Sequence, residues 1–298
     1  MRLSRRHETR VLSGLSGVGS CGVEREFLHG VGTARRILPQ YASVFRTAEG
    51  NTTFYGLPSA ETVARWAMEA PEDFRFCFKF PRAISHEQQL DGGAEAETRR
   101  FFERLAPLAG RCGPFFLQLH ESFSANRLET LRTFLEKLPN DFTYAVEVRH
   151  RDFFDGAEKE QALDRVLGEA CVDRVNFDPR GLFATQATDD FTRDAVRKKP
   201  RVPVRFTAIG ARPFVRFVGD PEIEKNATIF EEWAAILARW IKEGRTPYFF
   251  VHHPDDGLAP AMARSLHRRV YARDPAVREP PIWPSENDRS SAAQLDLF

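Results

Sequence analysis

Tyr144-Ala-Val-Glu-Val-Arg-His150 is an apolar strand that turns charged before it ends. Side chains alternate along a strand, so Tyr144, Val146 and Val148 share one face while Ala145, Glu147 and Arg149 share the other. Burying either charge alone costs on the order of several kcal/mol. An acid and a base on one side of a core strand therefore belong to a paired arrangement, and the neighbouring strands say where it lies.

Outward from this strand the pattern repeats. Apolar segments at residues 46–54, 74–80, 114–119, 143–149, 174–178, 214–218 and 248–252 read as strands, with amphipathic helices between most of them. Ser59 is placed to cap a helix over residues 60–70, with Pro71 as its stop. Phe101, Leu105 and Leu108 stripe the next helix, and Leu128, Leu131, Leu135 and Leu138 the one after. Trp233, Ile236, Leu237, Trp240 and Ile241 keep helical spacing up to Gly244. A last helix at residues 260–271 leads into a Pro-rich tail.

Alternating strands and helices predict an α/β chain with a parallel sheet. Seven strands, plus a weak first one at residues 10–17, make a (β/α)8 TIM-like barrel the expected closure. Gly14 and Gly17 make that first strand degenerate. The reading is a single domain: an uncertain N-terminal segment at 1–22, the barrel at 23–272, and a flexible tail at 273–298. A doubly wound open sheet is the alternative, disfavoured because no Gly-rich phosphate turn follows an early strand. No helix is read between Asp178 and Phe214. That polar stretch, with Arg197-Lys198-Lys199-Pro200-Arg201, is read as a long functional loop.

The same parity recurs around the expected barrel. Lys79 shares a face with Cys77; Gln118 opposes Leu117 and Leu119; Asn176 and Asp178 oppose Val175 and Phe177; Arg216 opposes Val215 and Phe217; His252 opposes Val251. Glu49, Asn51, Thr53 and Tyr55 share one parity in the second strand. In a barrel this second face is the lumen, and strand C-termini open onto the site-bearing rim. Glu147 and Arg149 are thus expected at the mouth, roughly 6–7 Å apart.

Candidate catalytic residues are Glu49, His86, Glu147, Asp178 and His252, with Glu147 or Asp178 as base and His86 or His252 as proton shuttle. Asn51, Tyr55, Lys79, Gln118, Arg149 and Arg216 are candidate substrate contacts. Of these, Lys79, Arg149 and Arg216 are fixed cations that would clamp an anion. The competing reading makes Glu147, Arg149 and Lys79 a structural ion-pair plug. No organic cofactor is expected. A divalent metal stays open, although the adjacent His252 and His253 point to opposite faces and no metal-ligand spacing occurs.

The formal net charge of +1 gives no global pull toward nucleic acid or membrane, and no apolar run is long enough to span a bilayer. Cys21, Cys77, Cys112 and Cys171 form no C-x-x-C, which points to reduced thiols and a cytoplasmic chain.

Several stretches together resemble the YecE-like family, domain of unknown function 72. They are Glu49-Gly-Asn-Thr-Thr-Phe-Tyr-Gly-Leu-Pro-Ser59, Phe74-Arg-Phe-Cys-Phe-Lys-Phe-Pro-Arg-Ala-Ile-Ser-His86, Gly113-Pro-Phe-Phe-Leu-Gln-Leu119 and Ala145-Val-Glu-Val-Arg-His150. Phe214-Val-Arg-Phe217 and Tyr248-Phe-Phe-Val-His252 extend the resemblance over residues 41–271. It implies a TIM-like barrel and names no reaction. Residues 11–22 carry glycines but lack the tryptophan usual in that family's first strand.

The chain ends Gln294-Leu295-Asp296-Leu297-Phe298 after a polar, Pro-containing run. This resembles the pentapeptide that binds the bacterial DNA polymerase sliding clamp. A polar leash presents Leu and Phe to an apolar pocket while Gln fixes orientation. The alternative is a hydrophobic latch packed on the barrel. The expectation is a hydrolase or lyase acting on an anionic small molecule or nucleic-acid fragment and tethered to the clamp. A non-catalytic anion- or partner-binding module at the clamp is the alternative, and a general metabolic enzyme with a packing tail a third.

Overall fold

The computed structural model describes residues 12–15, 37–254, 257–283 and 286. Among the described residues eight short strands follow one another: β1 (Leu12–Leu15), β2 (Thr47–Gly50), β3 (Arg75–Phe78), β4 (Phe115–Gln118), β5 (Tyr144–Glu147), β6 (Asp173–Asp178), β7 (Phe214–Val218) and β8 (Tyr248–His252). Among the described residues the α-helices are α1 (Ile37–Val44), α2 (Thr52–Tyr55), α3 (Ala60–Glu69), α4 (Ala94–Leu105), α5 (Leu128–Glu136), α6 (Glu158–Glu169), α7 (Arg180–Ala184), α8 (Asp190–Lys198), α9 (Ala227–Lys242) and α10 (Ala259–Arg273).

Every ladder is parallel. One sheet runs β1-β8-β7-β6-β5-β4 and a second pairs β2 with β3. Isolated bridges from Phe76 to Cys112 and from Lys79 to Phe116 join β3 to β4. Because β8, the last strand, pairs with β1, the first, the parallel sheet is curled. β1 lies beside β2, though no ladder joins them among the described residues.

Alternation sorts the apolar side chains into two layers. Phe78, Leu117, Val146, Phe217 and Phe249 face outward onto helices, and Trp233 of α9 packs there, fully buried. Inside the curl, Cys77, Phe116, Ala145, Val175, Phe214, Tyr248 and Phe250 form a separate cluster drawn from six strands. Phe214 lies 4.9 Å from Phe250 and 5.4 Å from Phe116, centroid to centroid. This inner plug of aromatic rings is the floor on which the polar residues at the strand ends stand.

Local signals end the elements where the residues require it. Ser59 Oγ accepts the Thr62 amide at 3.1 Å to cap α3, and Asp189 Oδ1 accepts the Thr192 amide at 2.8 Å to cap α8. Gly244 adopts φ +82°, and the Gly244 and Arg245 amides close back on Ile241 and Trp240 to finish α9.

Three expectations are corrected. The second strand stops at Gly50, where any Cβ would meet the Phe78 ring at 2.6 Å. The chain then turns into α2, so Asn51, Thr53 and Tyr55 do not share a strand face. Asn176 and Asp178 of β6 face outward, while Val175 and Phe177 face inward. The cause is the covering segment. Residues 199–213 run without helix across the outside of β6, and Asn176 satisfies that backbone by donating to Thr207 O (2.9 Å) and accepting from Thr207 N (2.7 Å). Finally, the stretch from Asp178 to Phe214 is not helix-free, since it carries α7 and α8.

Candidate functional site

The C-terminal ends of the strands bring three ionic residues together across the curl. Arg216 of β7 donates through Nε and Nη2 to the two oxygens of Glu49 on β2, both at 2.8 Å. Its Nη1 donates to Glu147 Oε2 of β5 at 2.5 Å. All three side chains are at most 3% exposed, and the guanidinium lies 5.0 Å from the Phe116 ring centre in the floor. The parity that puts Arg216 inside is fixed by its register opposite Phe177 and Phe250. A bidentate fork of this kind suits arginine and no other cation.

A second tier stands on this layer. Arg149, just past β5, donates through Nε to Glu147 Oε1 at 3.0 Å and through Nη2 to Gln118 Oε1 at 2.8 Å. Lys79 Nζ donates to that same Gln118 oxygen at 2.8 Å and sits 3.8 Å from the Phe54 ring centre. Asn51 Nδ2 donates to Glu49 Oε1 at 2.7 Å, and His252 Nε2 lies 3.4 Å from Glu49 Oε2.

The electrostatics of the two tiers differ. Burial alone would raise the Glu147 carboxyl, but Arg216, Arg149 and Lys79 outweigh it and bring it down to about 2. Glu49 is likewise held well below the usual carboxylate range, with Arg216 and His252 overcoming the burial penalty. These carboxylates are locked as anions. Lys79 moves the opposite way. Burial, then Arg216, lowers its ammonium to about 7, with Arg149 adding to the repulsion and Glu147 and Glu49 opposing it only partly. Lys199, half-buried after α8, falls to about 8 for the same leading reasons, burial and Arg216. Burial pushes His86 down to about 4, with Lys79 next, and His252 down to about 4 against the pull of Glu49.

Asn51, Lys79, His86, Gln118, Arg149, Arg216 and His252 line a cavity of about 700 Å3 above Glu49 and Glu147, with Phe54, Tyr55, Arg82, Phe191, Asp194, Lys198, Lys199 and Val218 around them. Such a volume suits a small-molecule ligand. Tyr55 and Phe191 stand at its mouth, 83% and 64% exposed. Asp194 is engaged by Arg197 and Lys198, at 2.6 Å each. That leaves Glu49 and Glu147 facing Arg216, Arg149, Lys79 and Lys199. Neither Lys79 nor Lys199 has a carboxylate within 4 Å among the described residues, and among these the cavity's cations outnumber its carboxylates.

Of the residues expected at the mouth, Glu49, Asn51, Lys79, His86, Gln118, Glu147, Arg149, Arg216 and His252 do converge. Tyr55 lines the cavity from α2. Asp178 does not join them. Its carboxylate accepts from Trp233 Nε1 at 2.7 Å and from Arg180 Nε at 3.0 Å on the helix-covered side. Two electrostatic expectations also change: Lys79 is not a fixed cation, and neither His86 nor His252 titrates near 6.5, because burial opposes protonation. Gln294, Leu295, Asp296, Leu297 and Phe298 lie outside the described residues. Lys199 was not singled out by sequence reasoning; its signal is the basic run Arg197-Lys198-Lys199 at the end of an amphipathic helix, stopped by Pro200. Among the described residues no three His, Cys, Asp or Glu gather as a metal site, and no helix is long and apolar enough to cross a membrane.

Comparison with known proteins shows the family. Residues 14–287 match the family model described as protein of unknown function DUF72. The UPF0759 protein YecE of Escherichia coli K12 is 40% identical over 250 residues, covering 84% of this chain and 91% of that protein. Among solved structures, a DUF72 family protein from Enterococcus faecalis V583 superposes with a TM-score of 0.65 at 18% identity, over 87% of this chain and 95% of that one. A DUF72 family protein from Thermotoga maritima MSB8 gives 0.63 at 22% identity, over 85% and 96%. The chain belongs to the DUF72 family.

Proposed function

We propose that this DUF72 family member binds an anionic small molecule, one bearing a phosphate or carboxylate, in the cavity at the strand C-termini and processes it by lyase or hydrolase chemistry. The observation that carries the reading is the surplus of cations there: among the described residues, Lys79 and Lys199 face the cavity without carboxylate partners. A structural plug would neutralise itself. The lower tier does so, and the upper tier does not. An incoming anion supplies the missing charge, with Arg149 able to give a planar fork and the lysines point charges.

The same geometry reassigns the proton carrier. Glu147 and Glu49 are committed to Arg216, which makes them weak bases. Lys79 titrates at about 7 and so exchanges a proton near neutrality. Arg149, Arg216, Glu49, Glu147 and His86 surround it, and a bound anion restores its ammonium form. Affinity is therefore greatest below pH 7 and falls as pH rises through the 7–8 range of the two lysines.

The test is calorimetric and thermal titration of the full chain with inorganic phosphate and with short carboxylates. Lys199→Met should weaken phosphate binding about tenfold, the value of one lost charge-assisted contact. Equal response in wild type and Lys199→Met, or no response in either, counts against the reading. Binding without turnover of any binding compound favours the alternative, a non-catalytic anion-binding module.

We also read the eight strands as one closed (β/α)8 barrel, supported by the β8–β1 ladder, the β3–β4 bridges and the proximity of β1 to β2. A second functional reading rests on sequence alone: Gln294 to Phe298 tethers the chain to the bacterial sliding clamp, placing its work in the cytoplasm beside DNA.

A further inference from the structure

The anion site has one member whose surroundings suit more than charge recognition. Lys79 Nζ and Arg149 Nη2 converge on a single neutral oxygen, Gln118 Oε1, at 2.8 Å each. Among the described residues the carboxylates nearby are taken, Glu49 by Arg216 and Glu147 by Arg216 and Arg149. Beneath and beside the amine are the rings of Phe54 at 3.8 Å and Phe116 at 6.0 Å. A desolvated lysine next to fixed cations is the arrangement that frees an amine for nucleophilic attack.

We propose that Lys79 forms a Schiff base, and that the compound it takes is an aldehyde or ketone carrying a carboxylate or phosphate. This rests on the anion-site reading above and extends it by naming the reacting atom and the substrate class. The neutral amine keeps one N–H on Gln118 and turns its lone pair to the cavity, while Arg149 and Lys199 hold the anionic group. The lone pair bonds to the carbonyl carbon and the C=O π pair moves to oxygen, which takes a proton as the nitrogen loses one. The nitrogen lone pair then forms the C=N bond as the hydroxyl takes a second proton, from solvent, and departs as water, leaving a protonated imine whose N–H stays on Gln118. No oxidant or reductant enters.

His86 is placed to carry the proton. Ser85 Oγ donates to Pro81 O at 3.2 Å and therefore accepts from His86 Nδ1–H at 2.8 Å. In that tautomer the His86 Nε2 lone pair accepts from the Gln118 amide N–H at 3.4 Å, a long contact that it can exchange for a proton. Its low proton affinity, set by burial and by Lys79, suits an acceptor that gives the proton back.

The experiment treats the full chain at pH 7.5 with pyridoxal 5′-phosphate, a phosphate-bearing aldehyde, then borohydride, and maps the reduced adducts by peptide mass. Lys79 should be labelled about tenfold faster or more than Lys137 and Lys159, which are largely solvent-exposed. Excess pyruvate should slow the labelling of Lys79 and leave the other two unchanged. Phosphate binding measured on the unlabelled chain separates the two claims. A clear phosphate response with Lys79 labelled no faster than Lys137 overturns the nucleophile and keeps the anion site. Neither phosphate response nor selective labelling overturns both, and labelling concentrated on Lys199 overturns the assignment to Lys79.

Discussion

Arg216 and Lys79 sit in one cavity and show the two ways a buried charge is treated. Arg216 makes three hydrogen bonds to two carboxylates and is satisfied. Arg216→Met leaves Glu49 and Glu147 buried without their main counterion, and chemical denaturation should show a loss of roughly 3–5 kcal/mol. The Glu147 carboxyl has its folded-state value lowered to about 2. A lowered carboxylate stabilises above its unfolded value, and that contribution disappears as pH falls from about 5 toward 2. The acid limb of the stability curve should therefore flatten in Arg216→Met. Lys79 is the reverse. Its folded value of about 7 lies below the unfolded one, so the folded chain is penalised at and below pH 7, and the penalty fades as pH rises toward 10. Lys79→Met should raise the melting temperature at pH 6, less so at pH 9, while abolishing the phosphate response. A group that costs stability yet shapes a cavity is what a functional residue looks like. A melting temperature that falls equally at both pH values would contradict this.

At the level of elements, the sequence disclosed a great deal because most strands obey a simple alternation. Lys79, Gln118, Glu147, Arg216 and His252 all fall on the inner face that parity assigns to them. β6 breaks the rule. Its outer face is covered partly by the extended segment at 199–213 and partly by helices, so Asn176 turns out to serve that backbone and Asp178 to anchor α7 and α9. Nothing local distinguishes an inward Asp from an outward one that finds an indole N–H. β2 misleads for a different reason: its alternation seems to continue through Tyr55, but the chain turns helical after Gly50. Asp178→Ala tests the corrected role. It leaves Trp233 Nε1 and Arg180 without their acceptor and should cost roughly 2–4 kcal/mol, with phosphate affinity unchanged. Loss of phosphate affinity at unchanged stability would return Asp178 to the site.

For the whole molecule, the family and the curled parallel α/β sheet were both legible, since several motifs fall in the right order along the chain. The electrostatic state of the site was not legible. Lys79 reads as a cation in any sequence, and only burial and the repulsion from Arg216 and Arg149, which Glu147 and Glu49 offset in part, shift it. Lys199 reaches the cavity from the end of α8, a placement that spacing alone does not supply. The tail is a claim at this scale too. Deleting residues 294–298 should abolish pull-down by purified sliding clamp and leave the melting temperature within about 1 °C, since a surface peptide contributes little to the fold. A lowered melting temperature with no clamp contact would favour the latch.

The claim on which the rest depends is that Lys79 faces the cavity as an unneutralised amine awaiting an anion. Carbon-13 NMR of lysines labelled at Cε, with Lys79 assigned through Lys79→Arg, measures this in the intact chain. The account predicts a titration midpoint at about 7 that moves up by about one unit or more when phosphate is added. A midpoint in the ordinary lysine range, or one that phosphate leaves in place, would contradict it.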